Sequence, residues 1–328
     1  MTADRHMSTA PPDPSVDGVE ERLACRPSLR GEDTAACSES QQTTRFVEGV
    51  LMDNAVVLSD EQVIFFHREG YLALPRITSD ADVSALRRSY DRIFAERAGR
   101  DVGDQFDLAG ADREGEAAAL PQILNPAKYA PEMNASLLVR NCTQVARQLL
   151  GPEAICVIAH AINKPPERGA ETPWHQDAAY WDPSLRYTAI SIWVPLQEAT
   201  VENGCMEFVP RSQTLDVLRH RSINDDPRIH GLELHPEEMA KTRDAVQCPL
   251  PAGGATFHGP YMLHHAGPNR STGPRRALIL NAGLPPVVRT TPLRFPWMEE
   301  KITAREERVR AAREAGIDAG STPTGAVL

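Results

Sequence analysis

The chain has 328 residues, 41% of them hydrophobic, enough to bury one large core, and a formal net charge of −10. An acidic balance with no basic stripe argues against nucleic acid and anionic membranes as partners. No apolar run is long enough to span a bilayer and the first residues form no signal peptide. Six scattered cysteines (Cys25, Cys37, Cys142, Cys156, Cys205, Cys248) include no Cys-x-x-Cys pair, so a cytoplasmic protein with reduced thiols is expected.

Residues 1–44 are rich in Pro, Ser, Asp and Glu with few aromatics, a composition that cannot bury enough apolar surface to order itself, and are expected to be a disordered extension. Ser59, with Gln62 three residues on, forms a capping box for a helix that carries Val63, Phe65 and Phe66 and stops at Gly70. Tyr71–Leu74 then reads as a strand. A second helix is expected over about Asp80 to Ala98, and a third over about Ala135 to Leu150. From Ala154 the period changes. Ile155, Val157, Ala159 and Ala161 alternate, and the stretch from Tyr187 to Val194 is rich in β-branched and aromatic residues. Further short strands fit Met206–Val209, Ala245–Cys248, Gly254–His258 and Ala277–Ala282.

Helices followed by a dense run of short strands suggest a mainly β protein with flanking helices, a jelly-roll, over residues 45–297. Residues 298–328 read as a charged helix, a solvated face or dimer contact, followed by a loose tail from Gly316. The state expected is a monomer or homodimer.

The candidate chemistry begins at His175-Gln176-Asp177. Residues two apart in an extended segment point the same way, so His175 and Asp177 can grip one ion while Gln176 faces elsewhere. With His264 downstream, they make the two-histidine, one-carboxylate set of non-haem Fe(II) oxygenases. Arg275, eleven residues after His264, could hold the carboxylate of an acidic co-substrate through its two-pronged guanidinium. Two other His-x-acid triplets read as surface: His67-Arg68-Glu69 within a helix, and His235-Pro236-Glu237 at a helix start.

Three blocks carry a family resemblance. Trp174-His175-Gln176-Asp177-Ala178-Ala179-Tyr180-Trp181 resembles the metal-binding segment of the phytanoyl-CoA dioxygenase family. The stretch Glu202-Asn203-Gly204-Cys205 through Pro210-Arg211-Ser212 is similar to its ENG-C…VPGSH block, and Leu263-His264-His265-Ala266-Gly267-Pro268-Asn269 to its H-x-S-G-x-N signature. The resemblance implies a double-stranded β-helix and dependence on Fe(II), 2-oxoglutarate and O2. It implies His175, Asp177 and His264 as iron ligands and Arg275 as partner of the distal carboxylate of 2-oxoglutarate. Trp193, Gln122 and His160 would line the co-substrate pocket. Two departures stand out: Ala266 replaces a family serine, and Arg211 a family glycine.

Only one of the adjacent His264 and His265 can face a metal. Counting back from Asn269 selects His264 and leaves His265 at the cavity rim or paired with a carboxylate. His258, before the Gly259-Pro260 break, is read as a satisfied interior histidine. Tyr180, Trp181, Arg186 and Tyr261, with residues of the 213–241 insertion, are the expected walls for a small-molecule substrate. The reading is a dioxygenase hydroxylating an unactivated C–H bond, and the Arg/Ala/Pro-rich composition hints at bacterial specialised metabolism. The alternatives are an oxidative cyclase, desaturase or epimerase on the same scaffold, a zinc hydrolase, and a non-catalytic binding protein. The Trp193/Arg275 pocket and the missing general-base Glu speak against the hydrolase.

Overall fold

Ser59 caps the first helix as expected. Its hydroxyl accepts from the Gln62 amide, the Gln62 side chain reaches back, and the helix Asp60–Glu69 ends on Gly70 at φ 86°. The computed structural model describes residues 51–52 and 55–317. The extension expected over 1–44, Cys25, Cys37 and most of the expected loose tail lie outside them. The second and third helices run over Asp80–Ala95 and Leu137–Leu150, each N-capped by a serine.

These helices cover one face of a 7-stranded antiparallel sheet. Its order is Tyr71–Leu74, Ala255–His258, Ala189–Pro195, Arg275–Gly283, Ile155–Lys164, Pro121–Leu124, Gln105–Asp107. Strand alternation divides the residues cleanly. Leu72, Leu74, Ile190, Ile192, Val194, Ala255, Phe257, Leu278 and Leu280 pack with Leu86, Tyr90, Ile93, Leu138 and Val145 of the helices. The opposite face meets a 4-stranded sheet of Val246–Cys248, Met206–Phe208, His264–Ala266 and Thr172–His175. Tyr71, Trp193, Met206, Phe208 and Ala277 fill part of the space between the two sheets. Two facing antiparallel sheets make the jelly-roll expected from the sequence.

One strand departs from its expected pattern. Ile155, Val157 and Ala161 alternate in the sequence and would share one face of a regular strand, yet Ile155 and Val157 are 48% and 40% exposed, Val157 at the cavity, while Cys156, Ile158 and Ala161 pack under the helices. A bulge is the cause. Ile279 pairs with His160 but Leu280 with Ile158, so Ala159 is the extra residue and the facing parity flips across it. That flip turns His160 and Ile162 toward the space between the sheets.

The segment after residue 298 is also corrected. Its helix, Ala304–Glu314, carries the expected charged face, but Lys301, Thr303 and Arg305 are buried. Lys301 Nζ donates to the carbonyls of Ile229 (3.0 Å) and His230 (2.6 Å), and the Arg305 guanidinium lies 5.5 Å from the Phe106 ring centre. No described helix is long and apolar enough to cross a membrane.

Candidate active site

Between the two sheets lies a cavity of about 200 Å³, and His175, Asp177, His264, Arg275, Trp193, Gln122, His160, Tyr180 and Trp181 all line it. His175 ends its strand and pairs in register with His264, the first residue of the neighbouring one. Gln176 stays extended, and Asp177 then opens a single 3-10 turn instead of continuing the strand. The Ala178 amide, donating to the Pro260 carbonyl at 2.9 Å, pins that turn. The side-chain directions nevertheless match those expected from an extended segment. Gln176 points away into the insertion, where its amide donates to the Tyr261 carbonyl at 2.7 Å and accepts from the Leu218 amide at 2.7 Å.

The donor set fits a metal. Asp177 Oδ1 lies 3.6 Å from His175 Nε2 and 3.5 Å from His264 Nε2, and the three ligand atoms lie within 4.8 Å of one another. Each histidine donates its Nδ1–H to a carbonyl two residues back: Pro173 at 2.7 Å for His175 and Met262 at 2.9 Å for His264. That tautomer leaves both Nε2 lone pairs facing Asp177, the preparation a metal-binding histidine needs. Burial, with His175 and His258 alongside, pushes His264 well below the usual histidine range. Burial alone would raise the Asp177 carboxyl, but His264, His175 and His258 around it hold it well below the carboxylate range. Two imidazoles and one carboxylate converge on one point.

Arg275 starts the strand that runs down the middle of the main sheet, and only 1% of it is exposed. Its guanidinium sits 5.4 Å from the Trp193 ring centre, and its Nε and Nη1 find no hydrogen-bond partner. Burial lowers it to about 10, which still leaves it protonated near neutrality. A buried cation with idle donors is costly unless an anion completes it. Arg276, one residue on, points outward and grips Asp91 on the second helix through Nε (2.6 Å) and Nη2 (3.1 Å).

His265 likewise faces away from His264. It stacks on Trp174 and lies 3.4 Å from Glu171 and 3.7 Å from Glu207. His160, lowered to about 4 by burial, meets the cavity as a neutral imidazole. Tyr180 packs edge-on against His175, and its hydroxyl accepts from the Leu232 amide at 2.6 Å. Trp181 packs against Tyr187.

Two expected substrate walls are not brought here. Arg186 is exposed on a two-stranded ribbon with Val287, and Tyr261 points its hydroxyl at Arg289, 2.9 Å away. The expectation that His258 is a satisfied core residue also fails: it lines the cavity, and neither ring nitrogen has a hydrogen-bond partner. Asn125, His230 and Asn281 line the cavity as well. Asn281 shares the inward parity of Arg275, Ala277 and Ile279, so counting along that strand could have found it. His230 had no local signal, because it sits in the loop between two short strands, His220–Ser222 and Leu232–Leu234.

The departures from the family pattern are accommodated. Ala266 is buried, with its carbonyl accepting from Lys164 Nζ at 2.8 Å. Arg211 adopts the left-handed backbone (φ 68°) its glycine counterpart would allow, and its guanidinium pairs with Glu69 at 3.1 Å.

A family model described as phytanoyl-CoA dioxygenase (PhyH) matches residues 66–277. Peroxisomal phytanoyl-CoA dioxygenase of Bos taurus is 24% identical over 238 residues, covering 68% of this chain and 67% of that protein. L-Proline trans-4-hydroxylase of Streptomyces griseoviridis is 28% identical over 251 residues, 71% of this chain and 89% of its own. Among solved structures, EvdO2 from Micromonospora carbonacea var. aurantiaca, complexed with 2-oxoglutarate, is 35% identical. It covers 74% of this chain and 97% of its own, with a TM-score of 0.63. The family match takes in well over half of the chain and every cavity residue from Gln122 to Arg275; this protein belongs to the phytanoyl-CoA dioxygenase (PhyH) family of Fe(II)- and 2-oxoglutarate-dependent oxygenases.

Proposed function

We propose that the protein hydroxylates an unactivated C–H bond of a small molecule, with His175, Asp177 and His264 holding Fe(II) and Arg275 holding 2-oxoglutarate. The observation that carries this reading is the buried Arg275 guanidinium, its Nε and Nη1 idle, beside the cavity that the three ligands share. A dicarboxylate reaching from the ligand cluster to Arg275 would give the buried guanidinium an anionic partner. Bound iron supplies dioxygen activation coupled to oxidative decarboxylation of 2-oxoglutarate to succinate and CO2. The protein's own part is positional. Trp193 supports the Arg275 guanidinium, and the Nδ1–H bonds of His175 and His264 fix their rings. The two packed sheets wall the reacting centre on opposite sides.

Substrate chemistry is read from the cavity lining. Asp177 and Arg275 are the sole Asp, Glu, Lys or Arg side chains among the residues that line it, and both are assigned to iron and co-substrate; His265 at the rim lies against Glu171 and Glu207. The rest offers aromatic rings (Tyr180, Trp181), aliphatic surface (Leu108, Leu124, Ile162) and neutral polar groups (Asn125, His160, His230, Asn281). Such a wall suits an uncharged molecule, or the uncharged end of a larger one. We place the reaction in bacterial specialised metabolism on the Arg/Ala/Pro-rich composition, and in the cytoplasm, because the four described cysteines are buried and unpaired.

The test is Fe(II)-dependent succinate formation from 2-oxoglutarate, followed by mass spectrometry of the turned-over substrate. A gain of one oxygen atom supports hydroxylation. Loss of two hydrogens would replace it with desaturation or cyclisation, and an unchanged mass with altered retention would replace it with epimerisation.

A further inference from the structure

We propose that His258, together with Ser191, is a positioning residue that holds the outer oxygen of Asp177, so that this carboxylate presents a single oxygen to the metal. The proposal deepens the iron-site reading above and rests on it.

His258 and Ser191 are register partners on adjacent strands of the main sheet, and both point inward. The Ser191 hydroxyl donates to Asp177 Oδ2. His258 Nε2 lies 3.4 Å from the same Oδ2, and no other acceptor engages either of its ring nitrogens. The ring is 2% exposed, wedged between Phe208 (5.2 Å between ring centres) and His264 (4.4 Å). That packing holds the ring beside the carboxylate. Asp177 Oδ1 faces the other way, toward His175 Nε2 and His264 Nε2.

One carboxylate is thus divided: Oδ1 belongs to the ligand cluster, and Oδ2 accepts from Ser191 with His258 Nε2 3.4 Å away. The division matters because a carboxylate free to rock can bind a metal through both oxygens. The second oxygen would then occupy a coordination position needed by the co-substrate or dioxygen. A hydrogen-bonded Oδ2 resists that rocking, as outer partners of metal ligands do elsewhere. His258 is not itself a ligand in this arrangement. Its Nε2 approaches the oxygen turned away from the cluster, which comprises His175, Asp177 and His264.

The experiment is an anaerobic Fe(II) titration in the presence of 2-oxoglutarate, followed by the visible charge-transfer band, on the parent, Ser191→Ala, His258→Phe and His258→Gln. The parent should show the band. Ser191→Ala and His258→Phe should keep it, shifted in position, with the Fe(II) Kd raised about 10- to 100-fold, the usual cost of losing an outer partner. His258→Gln, whose amide can still donate, should recover most of the affinity. Ser191→Ala removes one oxygen atom only, and it carries the test by itself if His258→Phe does not fold. An Fe(II) Kd within about twofold of the parent in every folded variant, with an unmoved band, overturns the proposal. So does a His258→Gln protein as impaired as His258→Phe, since packing of the ring would then be its whole role. A parent with no band overturns the iron site itself and this inference with it.

Discussion

The two sides of the cavity are built in different ways. On the main-sheet side, Arg275, Trp193, Ser191 and His258 sit on long paired strands, and each direction follows from strand parity. On the other side, Tyr180, Trp181 and His230 sit on a 3-10 turn and a loop, held by contacts from far along the chain. The Trp297 indole donates to the Ala179 carbonyl at 3.0 Å, and Lys301 ties down Ile229 and His230. The contrast matches the division of labour. On the proposed reading, a co-substrate common to the family is met by rigid ladders, and a substrate that differs between relatives by segments anchored from far along the chain.

The contrast can be broken first at the metal. His264→Ala should abolish iron retention and 2-oxoglutarate turnover, while His265→Ala, which alters a ring stacked on Trp174 outside the ligand cluster, should keep most of both. Metal analysis after gel filtration and a succinate assay decide it. The opposite outcome would shift that strand by one residue and reverse every inward assignment on it.

The next largest effect is expected at Arg275→Lys. Charge survives but the paired donors do not, so the KM for 2-oxoglutarate should rise roughly 10- to 100-fold, matching about 1.5–3 kcal/mol for a charged hydrogen bond. Arg276→Lys, altered only at an Asp91 contact on the outer face, should leave that KM unchanged. Equal effects of the two would remove Arg275 from the co-substrate site.

Lys301→Met addresses the other wall. It strips donors from two carbonyls and the Ser222 hydroxyl, and should cost about 1–3 kcal/mol in a denaturant titration. The KM for substrate should rise with little change in that for 2-oxoglutarate. If both rise together, the two walls are not independent.

The smallest effect is expected at Arg211→Gly. Relief of left-handed backbone opposes the loss of the Glu69 pair and the added chain entropy of glycine, so stability near neutrality should change by under about 1 kcal/mol. The pH dependence is the sharper readout. Arg211 holds the Glu69 carboxyl below its ordinary value of 4.5. The pair therefore stabilises the parent above that pH and is lost as pH falls through the depressed value. The gap between parent and variant melting curves should shift in favour of the variant below pH 4.5. A gap that does not move would mean the pair contributes nothing.

The same contrast explains what was legible in the sequence. The jelly-roll, the capping box at Ser59, and the facing of His264 and Arg275 follow from local rules: periodicity, capping, and alternation counted from a fixed point. The bulge at Ala159 does not, because it depends on the register of the partner strand, and it inverted the reading of Ile155 and Val157. Nor was His230 readable, since its place depends on Lys301, more than seventy residues later. Arg186 and Tyr261 were misplaced for a related reason. Nearness in sequence to the ligands put them at the cavity, whereas a separate ribbon and an Arg289 contact take them away. The acidic and basic residues after 298 gave a charge pattern that fitted a solvated helix, and nothing in it marked Lys301 and Arg305 as buried.

The most direct test of the account is anaerobic addition of 2-oxoglutarate to the Fe(II)-loaded protein, read as the visible charge-transfer band of co-substrate chelated to iron. The account predicts the band in the parent and in His265→Ala, at higher 2-oxoglutarate in Arg275→Lys, and none in His264→Ala. A band that persists in His264→Ala, or an iron-loaded parent that never develops one, would contradict it.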